Sequence, residues 1–281
     1  MNKKRLLNIA LLALLIIGIF LVNQKEKPAE IQRLTSLDLD SIQTINIPRS
    51  QGKSISFYKN NAAVWYMKTP YTLKAHPFRI NTLLSLTQTP VNKIYSSKDL
   101  NLADFALDLP RASIKFDNTT VYYGSVNPLN NQRYLLVNQQ LAMLTDTSYP
   151  LVSAQAASFV DLSLVPDNFN IIKIKTPETD VFLDNTGQWL SSGEKPLNAD
   201  QIQGLLQSWT SAQAFAVHKY LPRKQLGEIT LYSETRNITF IISDTDPWLI
   251  LALPEIGIEY HLDKSLKDKL YGYFTRENNN A

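Results

Sequence analysis

Two stretches of about 110 residues show the same succession of sequence patterns, and an internal repeat of this kind limits the folds available to a chain. In each stretch, short runs of alternating polar and apolar residues surround one segment whose apolar residues recur at helical spacing. Trp65 corresponds in this way to Trp189, and Leu83 corresponds to Leu205, at offsets of 124 and 122 residues. We therefore predict that the body of the protein contains two copies of one unit.

The patterns within each copy predict a mainly antiparallel sheet with one or two short helices, which is an α+β fold. A helix is expected over residues 78–87 of the first copy. The corresponding helix of the second copy is expected over Ala199–Ser211, where Asn198 can cap the N-terminus. The first copy should span residues 34–164 and the second residues 165–281.

The N-terminus combines a basic start with an apolar run. Lys3, Lys4 and Arg5 precede residues 6–22, which contain no charged residue. A helix over this run would be about 25 Å long, close to the hydrocarbon thickness of about 30 Å. We predict that residues 6–22 cross the lipid bilayer of a bacterial inner membrane. Because cations stay on the cytoplasmic side, the N-terminus should be cytoplasmic and the body periplasmic.

Other interpretations of the same run remain open. A cleavable signal peptide would also begin with cations and an apolar segment, but no small-x-small cleavage site follows the run. A buried core helix is a further alternative, whereas a lipoprotein would need a cysteine, and the chain has none. We favour the uncleaved anchor, which assigns residues 1–25 to a basic stub and membrane helix and residues 26–33 to a spacer.

Composition excludes several classes of function. The absence of cysteine removes disulfides, thiolate metal sites and cysteine nucleophiles. The chain has 28 Lys and Arg, of which three precede the apolar run, so the remaining 25 balance the 25 Asp and Glu. A body without net charge does not favour nucleic acid as a partner, since such proteins carry a basic patch or stripe.

No coherent set of catalytic or ligand residues emerges from the sequence. The histidines, at positions 76, 218 and 261, are far apart in the chain and have none of the spacings typical of zinc sites. The chain contains neither a Gly-x-Gly-x-x-Gly motif nor a Walker loop. We therefore predict that the protein is not an enzyme and has no catalytic, metal or cofactor-binding residues, with a hydrolase as the least favoured alternative.

Motifs in the first copy resemble those of the DUF4340 family of bacterial envelope proteins, clearly over residues 34–160 and more weakly afterwards. They are LTSLD at 34–38, WYMKTP at 65–70, ALDLP at 106–110, VYYG at 121–124, and Asn127-Pro128 and Arg133-Tyr134. Ala106 stands where the family usually has glycine. The resemblance implies an envelope protein with an N-terminal membrane helix and no assigned activity. Its motif residues look architectural: a core tryptophan, strand-ending prolines and a glycine that relieves a tight turn.

One group of residues offers a candidate interaction surface. Tyrosines beside an asparagine-rich loop and an arginine can form a recognition surface, because tyrosine supplies contact area at low entropic cost. The candidate residues are Tyr122, Tyr123, Asn127, Arg133 and Tyr134. Ordinary cross-strand packing beside a polar loop is the alternative, and we regard it as the stronger one.

Together these observations predict a non-catalytic interaction or accessory component of an envelope transport or assembly complex. Its partner should be a membrane-embedded or membrane-adjacent protein, with ABC-type transport components among the candidates that the family resemblance suggests. The alternative is a periplasmic module that binds a small molecule or glycan. That alternative predicts a concave, aromatic-lined crevice between the two copies, near residues 164–169.

Overall fold

The computed structural model describes residues 12–15, 32–91, 93–193 and 196–273. Of the predicted membrane anchor over residues 6–22, only residues 12–15 are described, and they are helical with exposed leucines. The rest of the predicted anchor lies outside the described residues. Within the described ranges, no helix has both the length and the apolar character needed to cross a membrane.

The first half of the described chain forms one antiparallel sheet. Its order is β4-β3-β2-β1-β6-β7-β8-β9-β5, so the chain makes a meander, leaves to place β5 at the far edge, and returns through a second meander. The strands are β1 (Thr44–Ile47), β2 (Ile55–Lys59), β3 (Trp65–Thr69), β4 (Leu73–Lys74), β5 (Ile94–Ser96), β6 (Ala112–Phe116), β7 (Thr119–Val126), β8 (Arg133–Val137) and β9 (Gln140–Leu144).

The second half forms another antiparallel sheet, of order β12-β11-β10-β14-β15-β16-β17-β13. The strands are β10 (Lys173–Lys175), β11 (Asp180–Leu183), β12 (Trp189–Ser192), β13 (Ala216–Lys219), β14 (Gly227–Tyr232), β15 (Asn237–Asp244), β16 (Trp248–Leu253) and β17 (Ile258–Asp263). This order equals that of the first sheet without β4. The predicted antiparallel, β-rich architecture with few helices is confirmed, and the shared strand order agrees with the repeat found in the sequence.

The helices are short and lie between the strands. Those of the first half are α1 (Pro77–Ser85), which continues as a 3-10 turn over Leu86–Gln88, and α2 (Tyr149–Val152), with further 3-10 turns at Leu102–Phe105 and Ala156–Phe159. Those of the second half are α3 (Ala199–Ser211) and α4 (Leu266–Tyr271). After β9 the chain forms two separate helical turns, over Tyr149–Val152 and Ala156–Phe159, with a break between them. Arg49 contributes to the break, since its guanidinium donates to the carbonyls of Val152 and Ala154 where α2 ends.

Helix α3 shows how local sequence and core packing agree. It begins with a capping box, in which the Asn198 side chain accepts from the Gln201 N–H at 2.9 Å and the Gln201 side chain accepts from the Asn198 N–H at 3.0 Å. Its apolar face buries Trp209, whose indole N–H donates to the Leu270 carbonyl of α4 at 3.0 Å. The Trp209 ring also packs against Phe240 of β15, so the helix covers one face of the second sheet.

A short connecting segment joins the two sheets at their edges. Val160 pairs with Ala75 just after β4, and Ser163 pairs with Gln213 just before β13. The following residues Leu164, Val165 and Phe169 are 2%, 7% and 5% exposed. Leu164, Val165 and Phe169 thus belong to the common core, which counts against the crevice expected near residues 164–169.

Candidate functional site

A buried carboxylate lies on the outer face of the second sheet, the face opposite the one that α3 covers. Side chains alternate along β17, so Tyr260 and Leu262 enter the core while Glu259 and His261 point to the outer face. Glu259 is nevertheless only 1% exposed. An ionised side chain with so little solvent contact needs partners that replace water.

Glu259 finds these partners on a neighbouring loop and on its own strand. The Arg223 guanidinium donates to both carboxylate oxygens, at 2.8 and 3.1 Å, in a bidentate ion pair. The Leu221 N–H donates to Oε2 at 3.1 Å, and His261 Nε2 lies 2.9 Å from Oε1. Since an ionised carboxylate only accepts hydrogen bonds, Nε2 carries the proton. Glu259 thereby fixes residues 220–226 over the sheet, and we call this arrangement the Glu259 anchor.

The electrostatics of the Glu259 anchor favour a fixed charge rather than proton transfer. Burial raises the pKa of Glu259, but hydrogen bonds from Arg223, His261 and the Leu221 N–H, together with the Arg223 charge, lower it further than burial raises it. The net pKa lies below the ordinary glutamate value, so the carboxylate is ionised at neutral pH. With both oxygens occupied, it has no position from which to accept a substrate proton.

A second histidine, His218, lies beside the Glu259 anchor. The strand register places His218 of β13 directly opposite Glu259, and Ala216 opposite His261. The two imidazole rings therefore meet, with centroids 4.6 Å apart. Burial, and secondarily the charge of His261, lower the pKa of His218 although Glu259 opposes the shift. His218 is therefore neutral at physiological pH.

An exposed aromatic pair completes the site. Phe215 and Trp248 are 53% and 45% exposed, and their rings meet edge to face with centroids 5.0 Å apart. Phe215 also lies 6.3 Å from the His261 ring, which joins the pair to the Glu259 anchor. We call Phe215, Trp248, His218 and His261 the aromatic patch. It combines exposed apolar area with an imidazole, that of His261, which is bonded to Glu259.

These residues do not form a metal site. His261 Nε2 is engaged with Glu259, and Arg223 occupies the same carboxylate. Across the described ranges, no group of three or more histidine, cysteine, aspartate or glutamate residues is arranged to hold a metal ion.

The residues predicted from sequence as an interaction surface lie on different faces of the first sheet. Tyr123 is fully buried, and its hydroxyl lies 2.8 Å from that of Ser148, so it packs the core. Tyr122 points to the opposite face and is 39% exposed. Tyr134 packs edge to face on Phe105, with ring centroids 4.8 Å apart. The prediction of an interaction surface by the remaining residues stays a prediction.

Arg133 and Asn127 form hydrogen bonds within the first unit, to nearby strand ends and to their own loop. The Arg133 Nε donates to Asp146 at 2.6 Å and its Nη1 donates to the Gly124 carbonyl at 2.8 Å. The guanidinium also lies over the Tyr149 ring, 3.9 Å from its centroid. The Asn127 side chain accepts from the Leu129 N–H at 2.9 Å, which closes a local turn. The bonds of Arg133 hold β8 against the start of α2.

Gly124 has a different role from the one its motif suggested. It lies inside β7 rather than in a tight turn. A Cβ at this position would lie 2.3 Å from the Phe105 carbonyl oxygen and 2.9 Å from Leu107 Cγ. Glycine is required because two backbone segments approach closely here. The motif alanine, Ala106, lies between Phe105 and Leu107, the two residues that approach Gly124. It adopts a left-handed conformation with φ of 53°.

Sequence reasoning missed the Glu259 anchor and the aromatic patch. His218 and His261 are far apart in the chain and share no motif, and only the β13–β17 pairing brings them together. The one available signal was the alternation of β17, which should have exposed a glutamate between apolar neighbours. Its burial depends on residues 220–226, whose position no local pattern predicts.

The fold and sites described above define a protein of two antiparallel sheet units with an ion-paired aromatic surface. The model of a family described as a domain of unknown function (DUF4340) matches residues 65–232, which is more than half of the chain. The protein therefore belongs to the DUF4340 family, as its motifs indicated. The match begins in β3 and ends in β14, so it runs through both sheets instead of following one copy. The comparisons with curated proteins and with solved structures found no match.

Proposed function

We propose that this protein is a non-catalytic, membrane-anchored component of a bacterial envelope complex and that it binds another protein through the aromatic patch. The observation that carries the proposal is the exposed Phe215–Trp248 pair, in which the Phe215 ring lies against His261, itself bonded to Glu259. Residues at the centre of protein interfaces are enriched in tryptophan and arginine, and a few of them supply most of the binding energy. An exposed tryptophan packed against a second aromatic ring matches that description.

The chemistry of the Glu259 anchor supports a binding role over a catalytic one. A general base needs a free lone pair within reach of a substrate, whereas Arg223, Leu221 and His261 occupy both oxygens of Glu259. The arrangement instead fixes the position of a loop. Fixed side chains lower the entropy lost on binding, which favours a specific interface.

The N-terminal sequence supports a location at the membrane. The apolar run over residues 6–22 and the preceding cations favour an anchor with its body on the periplasmic side. The predicted spacer is shortened to residues 26–31, because Gln32 and Arg33 pair with Val91 and Pro90 of the first unit, and at about 3.5 Å per residue it reaches at most about 20 Å. The partner is accordingly a membrane-embedded or membrane-adjacent protein, and the family resemblance places ABC-type transport components among the candidates.

Site-specific photocrosslinking tests this function. A photoreactive amino acid is placed at position 248 of the full-length chain in its native membrane, and in parallel at position 78. Phe78 is the matched control, because it is an exposed aromatic residue (73%) on α1 of the other unit. We expect a discrete crosslinked product at position 248 that contains an integral or membrane-associated protein, and none of that product at position 78.

A second variant links the product to the patch. Phe215→Ala should reduce the crosslink at position 248 about tenfold or more, since loss of a central aromatic residue costs roughly 2 kcal/mol of binding. A product that forms equally at both positions, or that survives Phe215→Ala unchanged, would overturn the assignment of the patch. Failure to recover any membrane-associated partner would overturn the proposed function itself.

A further inference from the structure

An open groove of about 970 Å³ lies on the outer face of the first sheet, far along the chain from the aromatic patch. Its floor is formed by the outward side chains of neighbouring strands, because the core-facing positions of the same strands carry apolar residues. The lining residues are Thr44, Ile45, Asn46, Ser56, Phe57, Tyr58, Lys68, Thr69, Thr72, Lys115 and Asp117.

The strand register arranges polar groups in a row across this floor. Asn46 of β1 lies opposite Lys115 of β6 on one side and opposite Ser56 of β2 on the other. Ser56 in turn lies opposite Thr69 of β3, next to Lys68 at a register shift. The row therefore crosses adjacent strands with a lysine at each end. Three strand spacings of about 4.8 Å separate the two ends by about 14 Å.

The charged side chains of the groove differ in whether they are already bonded within the protein. Asp117 accepts from the Thr44 N–H at 2.8 Å and from the Thr44 hydroxyl at 2.9 Å, so its carboxylate serves the fold. Lys68 and Lys115 are exposed, and neither forms an ion pair within the described part of the chain. The lining therefore carries two lysines without an internal ion-pair partner against one aspartate, and that aspartate is already bonded to Thr44.

Between the lysines, the floor offers hydrogen-bonding groups and one ring. Asn46 supplies an amide that has no partner among the described residues. The Ser56 hydroxyl donates to Thr69 Oγ1 at 2.6 Å, and the Thr69 hydroxyl donates to the Ser54 carbonyl at 2.8 Å, so both oxygens face a ligand as acceptors. Tyr58 lies beside them, stacks on Tyr66 with centroids 5.8 Å apart, and remains 38% exposed. Amide and hydroxyl groups recognise polyhydroxylated molecules, and an aromatic ring packs against the C–H face of a sugar.

We propose that this groove binds an acidic saccharide, with its hydroxyls over the floor and its carboxylate or phosphate groups at Lys68 and Lys115. The same residues argue against a peptide strand as the occupant. Strands β1, β2 and β6 lie inside the sheet and pair on both sides, so they offer no free edge to which a peptide could add. This site lies on the first sheet and is therefore separate from the aromatic patch on the second sheet. It also differs in position from the crevice near residues 164–169 that the sequence suggested for a ligand.

Titration calorimetry of the full-length protein tests the proposal, in a zwitterionic detergent that carries no sugar headgroup. The probes are a short oligogalacturonate, a neutral cello-oligosaccharide of the same length and a glutamate peptide of the same charge. We expect the oligogalacturonate to bind more tightly than either control. Its affinity should fall as ionic strength rises, because both contacting cations are exposed.

Variants locate the binding at the groove. Lys68→Ala and Lys115→Ala should each weaken oligogalacturonate binding about fivefold, and together about 25-fold, as expected for two separate exposed charge contacts. Tyr58→Ala should weaken the acidic and the neutral saccharide alike. Lys98→Ala is the matched control, because Lys98 is an exposed lysine beyond β5 at the opposite edge of the sheet. It should leave the affinity unchanged.

The outcomes separate this proposal from its competitors and from the proposed function. If the glutamate peptide bound as tightly as the oligogalacturonate, the groove would recognise only negative charge, and the saccharide assignment would be overturned. Equal effects of Lys98→Ala and Lys68→Ala would place the binding outside the groove, and the absence of oligogalacturonate binding would overturn the proposal. None of these results affects the crosslink at position 248, which lies on the second sheet.

Discussion

Replacing Glu259 with glutamine removes the charge of the Glu259 anchor while keeping its shape. The variant loses a bidentate, charge-assisted pair with Arg223, whose side chain is 29% exposed, whereas the glutamate side chain is 1% exposed. Breaking a fully buried pair costs about 3–5 kcal/mol, and an exposed pair contributes about 0–1 kcal/mol. Because this pair lies between those limits, we expect Glu259→Gln to lower the free energy of unfolding by about 2 kcal/mol.

Urea unfolding of the full-length protein in detergent, followed by tryptophan fluorescence, measures this change. With an m-value of about 2–3 kcal/mol/M, a loss of about 2 kcal/mol lowers the midpoint by about 0.7–1 M. Glu255→Gln is the matched control, since Glu255 is exposed on the turn between β16 and β17. Its effect should stay within about 0.5 kcal/mol.

The pH dependence provides an independent measurement of the same charge. The folded pKa of Glu259 lies below the ordinary glutamate value, so the stability that it contributes is present above that value. That stability is lost as the pH falls through the lowered folded pKa. The wild-type protein should therefore lose stability in this acidic range, and Glu259→Gln should show a shallower dependence there. A variant as stable as Glu255→Gln, with an unchanged pH profile, would refute the reasoning.

A double variant separates the ion pair from the packing around it. Arg223→Met alone leaves Glu259 buried without its cation and should destabilise the protein by at least as much as Glu259→Gln. Replacing both partners with apolar residues, as Arg223→Met with Glu259→Leu, removes the uncompensated charge. It should recover more than half of the single-variant loss, because apolar replacements of buried pairs are often tolerated.

Three further substitutions test the packing of the two units. Gly124→Ala should destabilise the protein by about 2–3 kcal/mol, because the new Cβ meets the Phe105 carbonyl oxygen at 2.3 Å, and thermal unfolding detects this loss. Ala106→Gly should stabilise it by about 0.5–1 kcal/mol in urea unfolding, since a left-handed conformation is unfavourable for alanine. Trp209→Phe should cost about 2 kcal/mol in the same assay, because it leaves the buried Leu270 carbonyl without its donor.

Each of these substitutions has a result that would contradict its physical reason. A stable Gly124→Ala variant would mean that the approach of the Phe105 backbone is not tight. For Ala106→Gly, the control is Ala103→Gly in the same 3-10 turn, which should be destabilising because Ala103 has no positive φ to relieve. Equal effects at both alanines would exclude the conformational explanation. A neutral Trp209→Phe would show that the indole hydrogen bond contributes nothing.

The elements of this fold were largely predictable because their signals are local. Helix α3 has the bounds expected from its periodicity and its Asn198 cap, and the strands of both sheets lie within a few residues of their alternating runs. The two-residue strand β4 was missed, because two residues show no periodicity. Alternation also implies that Tyr122 and Tyr123 face opposite sides of β7, which the proposed interaction surface did not take into account.

The candidate sites were not predictable, since both depend on contacts between distant parts of the chain. The groove requires knowing that β6 lies beside β1, which brings Lys115 into register with Asn46. To predict the Glu259 anchor, one would need to know that residues 220–226 fold over β17. Neither pairing has a sequence signal at the level of single residues, because strand order is decided by the packing of the whole sheet.

The repeat itself shows what the Glu259 anchor contributes. Strands β5 and β9 occupy the places in the first sheet that β13 and β17 occupy in the second. Ala142 and Tyr260 are the core-facing residues of β9 and β17, so the position of Glu259 corresponds to Leu141, which is 3% exposed and apolar. The same topology thus folds around an apolar side chain at this position, and the ion pair is not a requirement of the fold. What the charge adds in the second unit is a fixed position for Leu221 and Arg223, which both bond to the Glu259 carboxylate. We infer that the two units share a framework and differ in the surface that each presents.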